Sequence, residues 1–358
     1  MLNITFSQTE IINKIKLLIY TEDPEILTKV DIDDDTLFLE PLLFFYFNYK
    51  REEAFTNQFL RELMQGYFIK KEETRINHLF YETEITYLPK LGYFKKDEPE
   101  FFEPIEMIKD TNIEILKHSF NLLRPVFSDT AGRLISDSEI TFGSTLFDKN
   151  ISYLTNALLF IKEDSNEHFQ LIEQCCKKIL LFKTDPNITN SFSSAQAHGI
   201  AFLNVYQDEY DEVFFIDDIA HQTGHIILTT LLHDRKMIFI IDEEQKVEDL
   251  TKLNDHKTVY TLFHELYTYY AIFLCLDNSL AKNRFKKRQE KEVLGRIGFY
   301  LCKCAHDLDR FDIINSFYNG ESNVLTDHGK EIFNLIREKY FEVSKKWQSI
   351  TKEHHMLL

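Results

Sequence analysis

The sequence predicts a mainly α-helical protein of the α+β class, with two helical lobes and a small β-sheet in the second. Three observations support this prediction. Apolar residues recur at helical spacing through most long segments, and no proline occurs after Pro186, which suits a helical second half. Two short apolar runs in the second half have the length and composition of strands.

The first lobe is assigned to residues 1–147. Ser7 and Glu10 have capping-box spacing at the start of an apolar helical pattern, which predicts a helix over residues 7–20. Further helices follow, separated by prolines at positions 24, 41, 89, 99 and 104. Residues 126–147 are rich in glycine and small polar residues, so we expect a loop there and a domain boundary at its end.

The second lobe is assigned to residues 148–358. The runs 179–182 and 200–205 predict two strands, and the run 237–241 predicts a third. Apolar spacing predicts helices over residues 165–178, 209–233 and 258–277.

The composition restricts the partners and the compartment. A net charge of -17 argues against nucleic acid, because phosphate binding requires clustered Lys and Arg. Five cysteines, an odd number, form no disulfide framework, and the N-terminus lacks a signal-peptide pattern, so we expect a cytoplasmic protein. The most apolar window, residues 37–47, is too short to cross a membrane and contains Glu40 and Pro41. The oligomeric state stays open.

The predicted helix over residues 209–233 carries a candidate metal site. His221 and His225 lie one turn apart, a spacing that lets two imidazoles converge on one ion. Gly224 costs about 1 kcal/mol relative to Ala in a helix, which points to a steric requirement. Asp217 and Asp218 lie one turn earlier, where they could accept hydrogen bonds from metal-bound histidines or form a solvated face.

Gln222 occupies the position at which metallopeptidases with an H-E-x-x-H motif carry their catalytic glutamate. An amide cannot accept the proton of metal-bound water, so the usual route of hydrolysis should be lost. The substitution favours a metal chemistry that needs open coordination positions but no glutamate base. Non-haem iron(II) with oxygen is the leading example.

The third metal ligand is expected from the helix over residues 258–277. His264 and Glu265 are the candidates, and about 100° around the helix separates adjacent residues, so only one should face the ion. We assign His264. Glu265 stays an alternative, because two histidines and a carboxylate form the commoner oxygenase triad.

Several short motifs in residues 190–345 resemble the H-E-x-x-H-motif peptide-modification proteins of ribosomally made peptide pathways. These are His221 to His225, the segment Asp255-His256-Lys257-Thr258 followed by His264 to Tyr267, and Leu325 to Gly329. The resemblance implies an iron(II)- and 2-oxoglutarate-dependent oxygenase that hydroxylates a side chain of a precursor peptide, which the first lobe helps to hold. It also implies that Lys257, in place of the family's arginine, pairs with a carboxylate of 2-oxoglutarate.

The chain departs from that family at Gln222 and at Glu265, where the family has glutamate and glycine respectively. Two other functions therefore stay open. One is a zinc-dependent hydrolase whose base has moved to Glu265 or Asp218. The other is a peptide-binding partner that descends from a metal enzyme and has lost catalysis.

Overall fold

The computed structural model describes residues 4–49, 57–70, 76, 85–95, 101–118, 121–128, 132–136 and 138–347. The described chain is mainly α-helical with small β-sheets, which confirms the predicted fold class. Among the described residues, no helix combines the length and the apolar character needed to cross a bilayer.

The helices of the first half are mostly short, and those of the second half are mostly long. In chain order the helices are α1 (Thr5–Glu22), α2 (Pro24–Lys29), α3 (Asp35–Phe38), α4 (Pro41–Tyr49), α5 (Asn57–Met64), α6 (Ser144–Asp164), α7 (Asn166–Cys175), α8 (Glu212–Leu231), α9 (Val247–Thr251), α10 (Val259–Ala281), α11 (Lys287–Phe317) and α12 (Asp327–Lys346). The predicted helices over residues 7–20, 209–233 and 258–277 correspond to α1, α8 and α10.

The strands form two sheets. They are β1 (Ile85–Leu88), β2 (Gly92–Lys95), β3 (Phe101–Glu103), β4 (Glu106–Met107), β5 (Glu114–Leu116), β6 (Lys178–Phe182), β7 (Phe192–Ser193) and β8 (Ile200–Asn204). The first three form an antiparallel sheet in sequence order, and the other five have the order β4-β5-β6-β8-β7. In the second sheet β5, β6 and β8 run parallel, with Leu180 opposite both Leu116 and Phe202.

The chain divides into two compact units. Unit 1 comprises Met1–Ile4, Asn156–Ile172 and Tyr210–Leu358, and unit 2 comprises Thr5–Thr155 and Glu173–Glu209. The predicted boundary after residue 147 falls inside α6. Both sheets belong to unit 2, and unit 1 contains α8 to α12.

Two local predictions need correction. Strands 179–182 and 200–205 are present as β6 and β8, but residues 237–241 form no strand. That segment contains a short 3-10 turn, Arg235–Met237, and a single bridge between Phe239 and Leu325. An apolar run does not by itself supply a neighbouring strand, and Ile240 is 57% exposed. The first lobe is also less helical than predicted, because β1 to β5 lie before residue 147.

In unit 1, α8 and α10 pack closely at a glycine. A Cβ atom built on Gly224 would lie 3.3 Å from the Cα atom of Thr268 and 3.3 Å from the Cβ atom of Ala271. Most residues of α8 from Val213 to Leu231 are buried, so this helix is a central element of its unit. The partly exposed ones are Asp218, His221, His225 and Thr229. The steric reason expected for Gly224 is therefore the close approach of α10.

Candidate metal centre

The helix α8 fixes the first two candidate ligands. Its N-terminus is capped by Asp211, whose carboxylate accepts a hydrogen bond from the Val213 amide at 3.0 Å. His221 and His225 follow on one face of α8, with their ring centroids 5.0 Å apart. The helical spacing of the sequence therefore does bring the two imidazoles together.

The helix α10 brings the third candidate to the same place. It is capped by Thr258, whose hydroxyl accepts a hydrogen bond from the Thr261 amide at 3.2 Å. Further along α10, the ring of His264 stacks on that of His225, with centroids 4.9 Å apart and an interplanar angle of 17°. Their Nδ1 atoms are 2.7 Å apart, so one of them donates a hydrogen bond to the other.

Burial keeps the three imidazoles neutral. It lowers the pKa of His264 to about 4, with a further contribution from the positive charge of Arg235. It lowers the pKa of His225 well below its usual value, and the neighbouring His264 and His221 act in the same direction. For His221, burial also lowers the pKa, although the carboxylate of Asp217 opposes the shift. Neutral imidazole is the form that binds metal ions.

The residue types suit a divalent ion, but their present arrangement does not. Two nitrogens bound to one tetrahedral ion at 2.0–2.1 Å lie about 3.3 Å apart, whereas the two Nδ1 atoms of His225 and His264 lie 2.7 Å apart. Across the described part of the chain, no group of three or more His, Cys, Asp or Glu side chains is placed to hold a metal ion. Ligation would require the two rings to separate and to exchange their mutual hydrogen bond for the ion.

Gln222 is buried, at 4% exposure, and lies between the two histidines of α8. Its side-chain amide donates a long hydrogen bond of 3.5 Å to the carboxylate of Asp218, one turn earlier. The amide therefore has a partner on its own helix and brings no basic group to the three rings.

One carboxylate oxygen of Asp217 has hydrogen-bond partners, and the other has none among the described residues. Its Oδ2 atom pairs with the Arg296 guanidinium and accepts a hydrogen bond of 3.4 Å from the Tyr300 hydroxyl. Its Oδ1 atom is buried and has no hydrogen-bond partner among the described residues. His221 lies one turn further along α8, and its ring also forms no hydrogen bond within the described chain. Asp217 is thus a candidate partner for the ring of His221.

Lys257 is held by two carboxylates. Its ammonium group lies 2.7 Å from Asp307 Oδ1 and 3.0 Å from Glu265 Oε2, and the Tyr269 hydroxyl also donates to Glu265 at 3.0 Å. Burial would lower the pKa of Lys257, but Asp307 and Glu265 raise it above its usual value. Lys257 is therefore charged and fully paired, and Glu265 is engaged with Lys257 and Tyr269 while His264 contacts His225.

The pKa values of the two carboxyl groups, Asp307 and Glu265, are shifted in opposite directions. Burial raises the pKa of Asp307, whereas the ammonium of Lys257 lowers that of Glu265 against the effect of burial. Lys257 and Asp307 also line a cavity of about 660 Å³ in unit 1, together with Lys303 and His306.

The sequence did not indicate the residues that surround the candidate site from α11. Arg296, Tyr300 and Asp307 lie 79, 83 and 50 residues from their partners Asp217, Asp217 and Lys257. Their positions in the sequence carry no motif, so only the packing of α11 against the other helices identifies them.

No protein-family model matches this sequence, and no match is found among curated proteins.

Proposed function

We propose that the chain is a metal-dependent enzyme that binds a divalent ion through His221, His225 and His264. The observation that supports this proposal is the convergence of His264 on the histidine pair of α8 from a helix 39 residues further along the chain. The rings are neutral, with His264 buried and His221 and His225 partly exposed. The short contact between His225 and His264 needs an opening of only about 0.6 Å to match two ligands of one tetrahedral ion.

The proposed reaction is the hydroxylation of a peptide side chain with iron(II) and 2-oxoglutarate. Gln222 supports an oxygenase over a hydrolase of the usual kind, because the amide cannot take a proton from water. In such a site the iron supplies the activation of oxygen, with its remaining coordination positions open. The peptide substrate and the co-substrate rest on the resemblance of the motifs in residues 190–345, and the proposed cytoplasmic location rests on the cysteine content and the N-terminal sequence.

In this proposal Lys257 pairs with a carboxylate of the co-substrate, and the structure sets a condition on that role. The ammonium group now lies between Asp307 and Glu265, so an incoming carboxylate has to replace one of them. Asp307 is the better candidate for release, because burial raises its pKa whereas Lys257 lowers that of Glu265, so Asp307 is the more easily protonated of the two.

The hydrolase alternative has less support. Glu265 is held by Lys257 and Tyr269, and its lowered pKa makes it a weaker base. Asp218 already accepts a hydrogen bond from Gln222. Neither carboxylate is thereby positioned as a free base beside the three imidazoles.

A second candidate function is peptide binding without catalysis. The direct hydrogen bond between His225 and His264 favours it, since this contact satisfies both Nδ1 atoms without an ion. Elemental analysis of the purified chain separates the two candidates. A metal-free protein that still binds its peptide supports the non-catalytic function, and a stoichiometric divalent ion supports the enzyme.

Anaerobic titration with iron(II) and 2-oxoglutarate tests the proposed reaction. A visible charge-transfer absorption should develop for the unmodified chain and be lost in His225→Ala. The matched control is His328→Ala, which removes a partly exposed histidine of α12 that is absent from the cluster. If the protein is shown to be folded by circular dichroism and develops no absorption band, the proposal is contradicted.

A further inference from the structure

A second cavity in unit 1, of about 440 Å³, combines an apolar wall with polar groups that have no partner. It is bounded by the end of α6, the start of α7, and residues of α10 and α12. The apolar wall consists of Leu171, Leu274 and Leu335. Ligand cavities of proteins typically have this composition, with a few polar groups that orient the ligand.

His168 is the most buried polar residue of this cavity. Its side chain is 4% exposed, and its Nε2 atom has no hydrogen-bond partner among the described residues. Burial lowers the pKa of His168 to about 4, so the ring is neutral at physiological pH and one nitrogen carries a free lone pair. An unpaired buried polar group is costly, and it is explained when a ligand supplies the missing hydrogen bond.

Tyr270 and Glu167 line the same cavity, and neither forms a hydrogen bond through its side chain in the described structure. Burial raises the pKa of Tyr270 to about 12, and Cys275 and the nearby carboxylate of Glu167 add to the shift. The phenol therefore stays protonated, with its oxygen able to accept a hydrogen bond. The cavity thus has three unused acceptors: an imidazole nitrogen, a phenol oxygen and a carboxylate.

Four other polar residues of the cavity, Glu163, Asp164, Ser165 and Asn278, are already paired. Arg284 contacts the carboxylates of Glu163 and Asp164 at 2.6 and 2.7 Å. The Asn278 amide donates to the Ser165 hydroxyl at 3.0 Å. The residues that line the cavity include three acidic side chains, Glu163, Asp164 and Glu167, and no Lys or Arg, so the lining itself is negative.

We propose that this cavity binds a primary ammonium group carried on an aliphatic chain. An ammonium has three N–H donors and no acceptor, which matches acceptors on Glu167, Tyr270 and His168. The aliphatic chain packs on the three leucines of the apolar wall. A free alkylamine and the side chain of a peptide lysine share this chemistry, and the site is independent of the histidine cluster of α8 and α10.

Titration of the full chain with n-butylammonium in metal-free buffer tests the proposal. Binding is followed by NMR of histidine rings, with the His168 signal assigned from its loss in His168→Gln. We expect n-butylammonium to shift this signal at concentrations about tenfold lower than n-butanol does, because a hydrogen bond to a charged group is worth more than a neutral one. n-Butyrate should not shift it. Equal effects of the amine and the alcohol, or no effect of the amine, overturn the proposal.

Substitution of Glu167 supplies the residue-specific test. Glu167→Gln should weaken n-butylammonium binding about tenfold or more, because a charge-assisted hydrogen bond becomes neutral. The matched control is Glu290→Gln, which removes the same charge from α11 in the same unit. Tyr270→Phe provides a second variant should Glu167→Gln fail to fold. Unchanged affinity in the folded variants contradicts the proposed site.

The source of the ammonium is distinguished by comparing n-butylammonium with Nα-acetyl-lysinamide. Similar affinities support a peptide lysine as the ligand, because the blocked backbone is then tolerated outside the cavity. Binding of n-butylammonium alone supports a free amine. Failure of both compounds to bind contradicts the ammonium site and leaves the proposed metal centre unaffected.

Discussion

Each unit contains a buried polar cluster, and the two clusters differ in how completely they are paired. In unit 2, the Lys178 ammonium lies 2.7 Å from Glu114, 3.2 Å from Glu40 and 2.9 Å from the Tyr87 hydroxyl. Burial would lower the pKa of Lys178, but Glu40 and Glu114 raise it above its usual value. We call this group the lysine cluster.

In unit 1, the histidine cluster of His221, His225 and His264 contains only neutral rings and one short contact between two of them. Beside it, the Oδ1 atom of Asp217 has no partner within the described chain. A buried network whose polar atoms all have partners rigidifies a fold, whereas an incompletely satisfied one indicates a position that a ligand completes. The comparison therefore assigns a structural role to the lysine cluster and supports a binding role for the histidine cluster.

The largest expected effect is on stability, at the lysine cluster. Lys178→Met leaves Glu40 and Glu114 buried without their cation, and the loss of one partner of a buried ion pair costs about 3–5 kcal/mol. Urea unfolding measures the change. Lys149→Met is the control, since its pair with Asp208 is exposed and such pairs contribute roughly 0–1 kcal/mol. Equal losses in the two variants would contradict the structural role of the lysine cluster.

The next effect is on metal affinity, at the histidine cluster. His264→Ala should weaken binding of a divalent ion more than the roughly 10–100-fold that loss of an outer partner costs, because a direct ligand is removed. Isothermal titration with zinc or cobalt(II) measures it. If His264→Ala keeps full metal affinity and loses only stability, the histidine cluster has a structural role like that of the lysine cluster, and the contrast between the two is wrong.

A smaller loss of metal affinity is expected at Asp217. Asp217→Asn keeps the shape of the side chain but removes the charge beside His221, which should lower metal affinity by about 10–100-fold. The same titration measures this loss. Glu292→Gln is the control, because Glu292 also pairs with Arg296 but is not part of α8. Similar losses of metal affinity in both variants would show that breaking an ion pair of Arg296 weakens binding by destabilising the fold, and not through the ring of His221.

The smallest effect is expected at the contact of α8 with α10. Gly224→Ala gains about 1 kcal/mol of helix propensity, but the new methyl group meets Thr268 and Ala271 at 3.3 Å. Overpacking of this kind costs about 1–3 kcal/mol, so we expect a net loss of roughly 0–2 kcal/mol in thermal unfolding. A clear gain in stability would show that α10 moves away without strain.

Much of the fold could be predicted from local sequence patterns, which involve residues close together in the chain. The spacing of apolar residues predicted α8 and α10, and the runs at 179–182 and 200–205 predicted β6 and β8. The pattern failed at residues 237–241, because a strand needs a partner and this segment forms a single bridge. Periodicity also missed the short strands β1 to β5, which interrupt the first lobe.

The candidate site was predictable only where its residues share a helix or a motif. His221 and His225 follow from helical spacing, and Gly224 follows from the cost of glycine in a helix. The pairing of Asp217 with Arg296, and of Lys257 with Asp307, joins residues far apart in the chain. Such contacts depend on how the helices of unit 1 pack, and no local pattern carries that information.

Equilibrium dialysis against iron(II), cobalt(II) and zinc, followed by elemental analysis, tests the central claim most directly. We predict one tightly bound divalent ion per chain for the unmodified protein and none for the variant with both His221→Ala and His225→Ala. The unmodified protein should also lose the contact between the rings of His225 and His264 on binding, visible as a shift of their NMR signals. A folded unmodified chain that retains no more metal than the double variant would contradict the account.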